Sequence, residues 1–569
     1  MHPLLSIKDL TIQFKQDGRE TCALNNISLE VENQKITALV GESGSGKSVT
    51  ALSILQLLPE GTAVSGNIFY GTGDEKLTDL TQLSTSAINE IRGHRIAMIF
   101  QEPMTSLNPV FTCGYQVMEV LVKHLGLTKK AARKKTIKLF EEVELPDPAT
   151  IYDRYPHQLS GGQKQRVMIA MAISCRPTLL IADEPTTALD VRVQKNILSL
   201  LRKLQQEHQM AILLITHDLG LVADVADNLY VLYKGTIAEQ GTAAGILSNP
   251  RHRYTKALLA CRPGKNSKGK RLPVADEIQG METIKDALTA ISSMKAQRPS
   301  SYTPALTVEN LNVHFPASRN FFGKTTGIFK AVDDVSFTVM QHETVGLVGE
   351  SGCGKTTLGR AILQLIQPTS GKVLLNGIDI NSLSAISKRK ARKDLQIVFQ
   401  DPYGSLNPRI TIGEAITEPM QVHGLYHNKK ERKEKAAALL QQVRLSADML
   451  NRYPHQFSGG QRQRICIARA LAMEPSFLIF DESVSALDVS VQAQVLNLIN
   501  ELKASHNFTS IFISHDLSVV HYISDRILVM QHGRIVEEGS ADKIFYDPSN
   551  EYTRKLVDAI PGKSLSGID

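Results

Sequence analysis

The chain is written twice. GESGSGKS at 41–48 returns as GESGCGKT at 349–356, LSGGQKQR at 159–166 as FSGGQRQR at 457–464, LLIADE at 179–184 as FLIFDE at 477–482, and ITHD at 215–218 as ISHD at 513–516. The last three pairs keep one spacing of 298 positions, and the first pair is 308 apart. Copies this long are not solenoid repeats, whose units run to about 20–50 residues; each is large enough to bury a core of its own. The 569 residues therefore divide into two related domains, expected at 1–261 and 305–569. Between them, 262–304 is rich in Pro, Gly, Ser and Lys and reads as a linker. Within the linker Met281, Ile284, Leu288 and Ile291 fall at helical spacing, compatible with a short docking helix.

Composition removes several classes. The six cysteines stand singly, with no CxxC and no Cys/His cluster, so neither a zinc site nor a disulfide framework is indicated and a reducing cytoplasm is the expected setting. The N-terminus lacks a basic flank leading into an apolar run, and nowhere do about 18 apolar residues follow one another, as a membrane-spanning helix needs. A soluble or membrane-peripheral protein is expected. A net charge of +7 is mild, and short basic runs such as KKAARKK read as solvated helix faces, so no nucleic acid partner is expected.

Each copy alternates strand and helix signals. KITALV, TLLIAD and AILLIT in the first half, and TVGLVG, FLIFD and SIFIS in the second, are continuous apolar runs of the length of strands buried on both faces. KKTIKLFEEVEL and EKAAALLQQVRL carry helical periodicity between the glutamines of IFQEP and VFQDP (Gln101, Gln400) and the Ser-Gly-Gly-Gln blocks. A mixed sheet core with a helical insert follows.

The motifs specify chemistry. GxxxxGK[ST] between a strand and a helix makes a loop whose backbone N–H groups surround phosphate oxygens; Lys47 and Lys355 reach terminal phosphates, and Ser48 and Thr356 offer hydroxyls to a metal. Strands ending in Asp183-Glu184 and Asp481-Glu482 present one carboxylate for a metal and a second to accept a proton from water. His217 and His515 leave the ends of further strands toward the same edge. The Ser-Gly-Gly-Gln loops contain no nucleophile, acid or metal ligand that would make them sites by themselves.

The set and its order resemble the nucleotide-binding domains of ATP-binding cassette (ABC) transporters, nearly end to end and twice. The resemblance implies an α/β fold of two tandem ABC ATPase domains, each a P-loop, RecA-like mixed sheet core with a helical subdomain. It implies ATP and Mg2+ at two sites shared between the copies. One would use Gly41, Gly44, Gly46, Lys47, Ser48, Gln101, Asp183, Glu184 and His217, faced by Ser458, Gly459, Gly460 and Gln461. The other would use Gly349, Gly352, Gly354, Lys355, Thr356, Gln400, Asp481, Glu482 and His515, faced by Ser160, Gly161, Gly162 and Gln163. Glu184, His217, Glu482 and His515 would be catalytic. Mg2+ would be held by Ser48, Gln101 and Asp183, and by Thr356, Gln400 and Asp481. Asp190 and Asp488, closing TALD and SALD, would tie the sites together. Phe14 and Phe315 fall where the family stacks adenine; core packing is the other reading of both, and Phe329 is a rival in the second copy.

EPMTSLNP, DPYGSLNP, the two YPHQ segments and the tails NPRHRYTKALLACRP and DPSNEYTRKLVDAIP look like the dipeptide, oligopeptide, nickel and glutathione importer branch. Peripheral attachment to the cytoplasmic face of the inner membrane is then expected, with two membrane permease subunits and an external solute-binding protein as separate chains. The rival is a two-cassette ATPase acting on ribosomes or nucleic acid; the short, breaker-rich linker speaks against it.

Overall fold

The computed structural model describes residues 2–16, 19–71, 77–101, 106–187, 189–264, 267–274, 303–319, 325–485 and 487–560. The chain divides into two compact units, one built on Met1–Leu259 and the other on Ala260–Ile560. Each holds one copy of the repeat.

Among the described residues each unit has a six-stranded sheet and a four-stranded sheet. In the first unit the larger sheet runs Thr236–Thr242, Asn228–Tyr233, Ile36–Val40, Ala211–Thr216, Leu179–Asp183, Ile96–Ile99. All neighbours are parallel except the edge strand Thr236–Thr242. Every residue of Ile36–Val40, Leu179–Asp183 and Ala211–Thr216 is buried, which is why ITALV, LLIAD and AILLIT show no polar alternation. The second unit repeats the order around Thr344–Val348, Thr509–Ser514 and Phe477–Asp481.

Register places the functional residues. Val40 lies opposite Thr216, and Asp183 opposite Ile215, so the glycine loop, Glu184 and His217 all leave the carboxyl edge of the sheet as neighbours, where open parallel sheets bind ligands. Val348 opposite Ser514 and Asp481 opposite Ile513 repeat this.

The smaller sheet is antiparallel, with Leu5–Gln16 between Arg19–Val31 and Ala63–Tyr70. Its inner face, including Ile7, Leu10, Ile12, Leu24 and Ile68, shares one core with Leu39, Ile181, Leu213 and Ile215 of the larger sheet. A helical insert separates Ile96–Ile99 from Leu179–Asp183. It contains Cys113–Leu125, Lys129–Glu142 and Gly161–Ile173, whose first turns are capped by the side chains of Thr112, Thr128 and Ser160. Val117, Leu121, Leu139, Phe140 and Ile169 form its core. Among the described residues no helix is long and apolar enough to cross a membrane.

Part of the breaker-rich stretch between the copies is firmly seated. Leu272 and Val274 are buried. The fully buried Asn497 side chain donates to the Leu272 carbonyl and accepts from the Leu272 N–H, both at 2.8 Å, so both ends of an amide that would be costly to bury unpaired are satisfied. Tyr522 Oη donates to the Lys270 carbonyl at 2.9 Å. The amphipathic run Met281–Ile291 lies outside the described residues.

Candidate active site

Each glycine loop ends in a residue that only glycine can supply. Gly46 and Gly354 have φ of 108° and 110° and start the helices Lys47–Ile54 and Lys355–Ile362. A Cβ would fall 2.9 Å from the Ala23 carbonyl oxygen at Gly46 and 2.1 Å from that of Ala331 at Gly354. The lysine that follows is almost wholly buried in both copies. Lys47 Nζ donates to the Gly41 and Glu42 carbonyls, both at 2.8 Å, and Lys355 Nζ to those of Gly349 and Glu350 at 2.8 and 2.9 Å. The N–H groups of a helix start, which have no acceptor within the helix, and a buried ammonium side by side form an anion cradle.

Beside it stand the carboxylates. Burial pushes Asp183 up to about 6, with Glu184 adding to the shift and Ser48 opposing it; Asp481 is raised for the same first reason. Thr356 Oγ1 donates to Asp481 Oδ1 at 3.0 Å, and the buried Asp183 Oδ1 has no hydrogen-bond partner. A desolvated carboxylate with an oxygen to spare, next to a hydroxyl, fits a hard divalent cation.

Glu184 and Glu482 occupy the left-handed region, with φ of 47° and 45°, at a cost of about 1–3 kcal/mol. The turn is fixed by their N–H groups donating to Ile215 and Ile513 at 2.9 and 3.0 Å. It carries Glu184 to Gln101 Nε2 (3.1 Å), Thr187 Oγ1 (2.9 Å) and His217 Nδ1 (3.2 Å). Glu482 meets Gln400 Nε2 at 2.8 Å, His515 Nδ1 at 3.5 Å and Lys355 Nζ at 3.9 Å. The strand ends thus bring together the lysine, glutamine, glutamate and histidine picked out in the sequence.

Burial alone would raise Glu184, but His217 and Lys47 outweigh it and hold the carboxyl down at about 2. Burial likewise pushes His217 down, and the hydrogen bond and charge of Glu184 more than reverse this, leaving the imidazole above its ordinary value. Glu184→Gln removes the charge and leaves burial in control. Side-chain NMR should therefore find the His217 pKa above the ordinary imidazole value in the parent and lower in the variant. An unchanged titration would contradict the pairing.

The Ser-Gly-Gly-Gln segments are capped helix starts in their own units. Ser160 Oγ accepts from the Gln163 N–H at 3.3 Å while Gln163 Oε1 accepts from the Ser160 N–H at 3.0 Å, and Ser458 with Gln461 repeats both bonds. A Cβ on Gly162 or Gly460 would fall 2.9 or 2.2 Å from a γ-methyl of Val193 or Val491. Those valines belong to helices capped by Asp190 and Asp488. Phe14 packs partly against the core. Phe315 and Phe329 are cross-strand neighbours, 39% and 54% exposed, so either ring is accessible. Sequence reasoning missed Thr187, which holds Glu184, and two tyrosines of the tails. Tyr254 Oη and Tyr552 Oη accept from the Glu42 and Glu350 N–H groups, both at 3.0 Å.

Comparison with known proteins agrees with this geometry. The family model for the ABC transporter matches residues 24–187 and 332–485, and that for the oligopeptide/dipeptide transporter, C-terminal region, matches 238–287 and 536–564. The glutathione import ATP-binding protein GsiA of Pectobacterium atrosepticum is 44% identical over 561 residues, covering 98% of this chain and 89% of the relative. GsiA of Escherichia coli strain K12 is also 44% identical over 561 residues with the same coverage, and that of Salmonella typhimurium strain LT2 is 45% identical over 567. The chain belongs to the ABC transporter family of ATP-hydrolysing subunits, in the oligopeptide/dipeptide importer branch, with two cassettes fused in one polypeptide.

Proposed function

We propose that this protein powers import of a small peptide-like solute, with glutathione the first cargo to test, from two Mg2+-dependent ATP sites shared between its cassettes. The observation that carries the reading is the lysine–glutamate–glutamine–histidine cluster, present in both copies. The names of the relatives support the cargo.

In each site the lysine would exchange its loop carbonyls for the terminal phosphates of ATP. Ser48 with Asp183 and Gln101, and Thr356 with Asp481 and Gln400, would hold Mg2+, which when bound neutralises charge on the phosphate oxygens. Glu184 and Glu482, ionised, would accept a proton from the attacking water; His217 and His515 would hold them in place and bond the terminal phosphate. Ser458 and its helix start would close over the phosphates held by Lys47, and Ser160 over those held by Lys355. Phe14 and Phe315 or Phe329 would pack on adenine.

The protein would act at the cytoplasmic face of the inner membrane, bound to two permease subunits that receive cargo from an external binding protein. Exposed apolar side chains just past each glutamine support this docking. Val110, Phe111 and Tyr115 are 69%, 44% and 40% exposed, and Tyr403 is 65% exposed in the second copy; the Phe111 and Tyr115 rings stack at 5.1 Å. Aromatic patches of this kind commonly anchor partners. The expected result is copurification with two multi-spanning membrane proteins. Phe111→Asp with Tyr403→Asp should abolish it and uptake together; because the Tyr403 ring lies against the Arg462 guanidinium of the Ser458-capped helix, the binding control is Phe111→Asp alone, which should keep ATP binding within about twofold. Recovery with ribosomes alone would contradict the reading.

A further inference from the structure

The C-terminal region of each cassette has no part in the chemistry described above, yet it reaches the phosphate loop. Tyr254 is fully buried on the helix Arg253–Ala260, and Tyr552 nearly so on Glu551–Asp558. Their hydroxyls accept from the N–H of Glu42 and Glu350, both at 3.0 Å. That N–H belongs to the same peptide group as the carbonyl of Gly41 or Gly349, which accepts from the lysine ammonium at 2.8 Å in both copies. A trans peptide is planar, with its N–H and C=O on opposite sides, so fixing one fixes the other. One rigid plane therefore connects the tail tyrosine to the lysine.

The tail is itself anchored in the same way twice. Glu239 accepts from the N–H groups of Arg251 and His252 at 2.7 and 3.1 Å, and Glu537 from those of Ser549 and Asn550 at 2.7 and 3.2 Å. The segments NPRHRYT and DPSNEYT share the proline, the tyrosine and the threonine after it and differ at the other positions. The glutamate with its two backbone bonds and the tyrosine with its bond to the loop recur in both copies.

We propose that Tyr254 and Tyr552 are positioning residues for the two ATP sites. Each hydroxyl holds its phosphate loop in the shape that presents Lys47 or Lys355, so the C-terminal region of a cassette sets the nucleotide affinity of the loop in that cassette. The proposal rests on the reading that these loops hold ATP phosphates. Tyrosine to phenylalanine removes the hydroxyl and keeps the packing.

The test is titration with a fluorescent ATP analogue in the full-length Glu184→Gln/Glu482→Gln protein. Tyr254→Phe should weaken one binding event about three- to tenfold, the worth of a single hydrogen bond, Tyr552→Phe the other, and the double variant both. The unfolding temperature should fall by no more than the few degrees that one hydrogen bond is worth. With the glutamates restored, KM for ATP should rise and kcat stay constant. Unchanged affinity in the double variant overturns the proposal, as does an affinity loss that comes with a larger fall in unfolding temperature and a lowered kcat, which marks a merely structural role. Lys47→Ala serves as the control. If it leaves both binding events intact, the reading of the loops fails, whatever the tyrosines do.

Discussion

Glu184→Gln and Glu482→Gln together should abolish ATP turnover and leave ATP binding in place. Glutamine has the shape of glutamate and can still accept from Gln101 or Thr187, but its amide cannot take a proton from water. Loss of a positioned general base lowers a rate by about 10²–10⁴-fold. The backbone is not the cause, because glutamine inherits the same left-handed φ of 47° and 45° with no added branching. Each single variant should keep part of the activity, since both copies retain lysine, glutamine and histidine around the glutamate. Phosphate release at saturating ATP and Mg2+ measures this. Parent-like release in the double variant would remove both glutamates from the mechanism.

The second large effect comes from glycine replacement, and its order is set by geometry. At Gly354 an added Cβ meets the Ala331 carbonyl oxygen at 2.1 Å, a backbone atom, and φ is 110°. The left-handed conformation costs a substituted residue roughly 1–2 kcal/mol, and the overlap forces the loop away from Lys355 as well. At Gly46 the contacts are the Leu24 δ-methyl at 2.5 Å and the Ala23 carbonyl at 2.9 Å; the first can rotate aside. At Gly44 and Gly352 φ is 79° and 81° and nothing lies within 4 Å, so only the conformational cost remains. Alanine substitution should therefore damage nucleotide binding most at Gly354, less at Gly46 and least at Gly44 and Gly352. Equal losses at Gly354 and Gly352 would show that the close approach to Ala331 has no influence on the loop.

The central sheet was legible because burial on both faces leaves a mark within single segments. ITALV, LLIAD and AILLIT carry one polar residue each, Thr37, Asp183 and Thr216, too few to trace the polar face of an amphipathic helix, and each proved a fully buried strand. The antiparallel sheet left a weaker mark. In Leu5–Gln16 the pairing register shifts between Ile7 and Leu10 and again between Leu10 and Ile12, where Asp9 takes a φ of 51°. Such bulges break the two-residue alternation by which a strand is read.

The site divides the same way. Lys47, Glu184 and His217 each end a recognisable local pattern, whereas their convergence depends on the register of three strands. Tyr254 is 212 residues from Glu42, and no local pattern records the bond. Asn497 reads as one more polar helix position, although its amide is spent on the backbone of Leu272.

The proposal that the ATP sites are shared between the copies predicts which variants act on the same one. Ser160→Phe should disable the site built on Lys355 and Glu482, with a loss of the order of 10²–10³-fold at that site if the serine and its helix start stabilise the transferred phosphate. The decisive measurement is steady-state ATP turnover of Ser160→Phe combined with each glutamine variant. Ser160→Phe with Glu482→Gln should keep the activity of Glu482→Gln alone, because both strike one site, while Ser160→Phe with Glu184→Gln should lose nearly all turnover. The reverse pattern, with Ser160→Phe silent beside Glu184→Gln and additive with Glu482→Gln, would mean that each copy hydrolyses ATP with its own Ser-Gly-Gly-Gln loop.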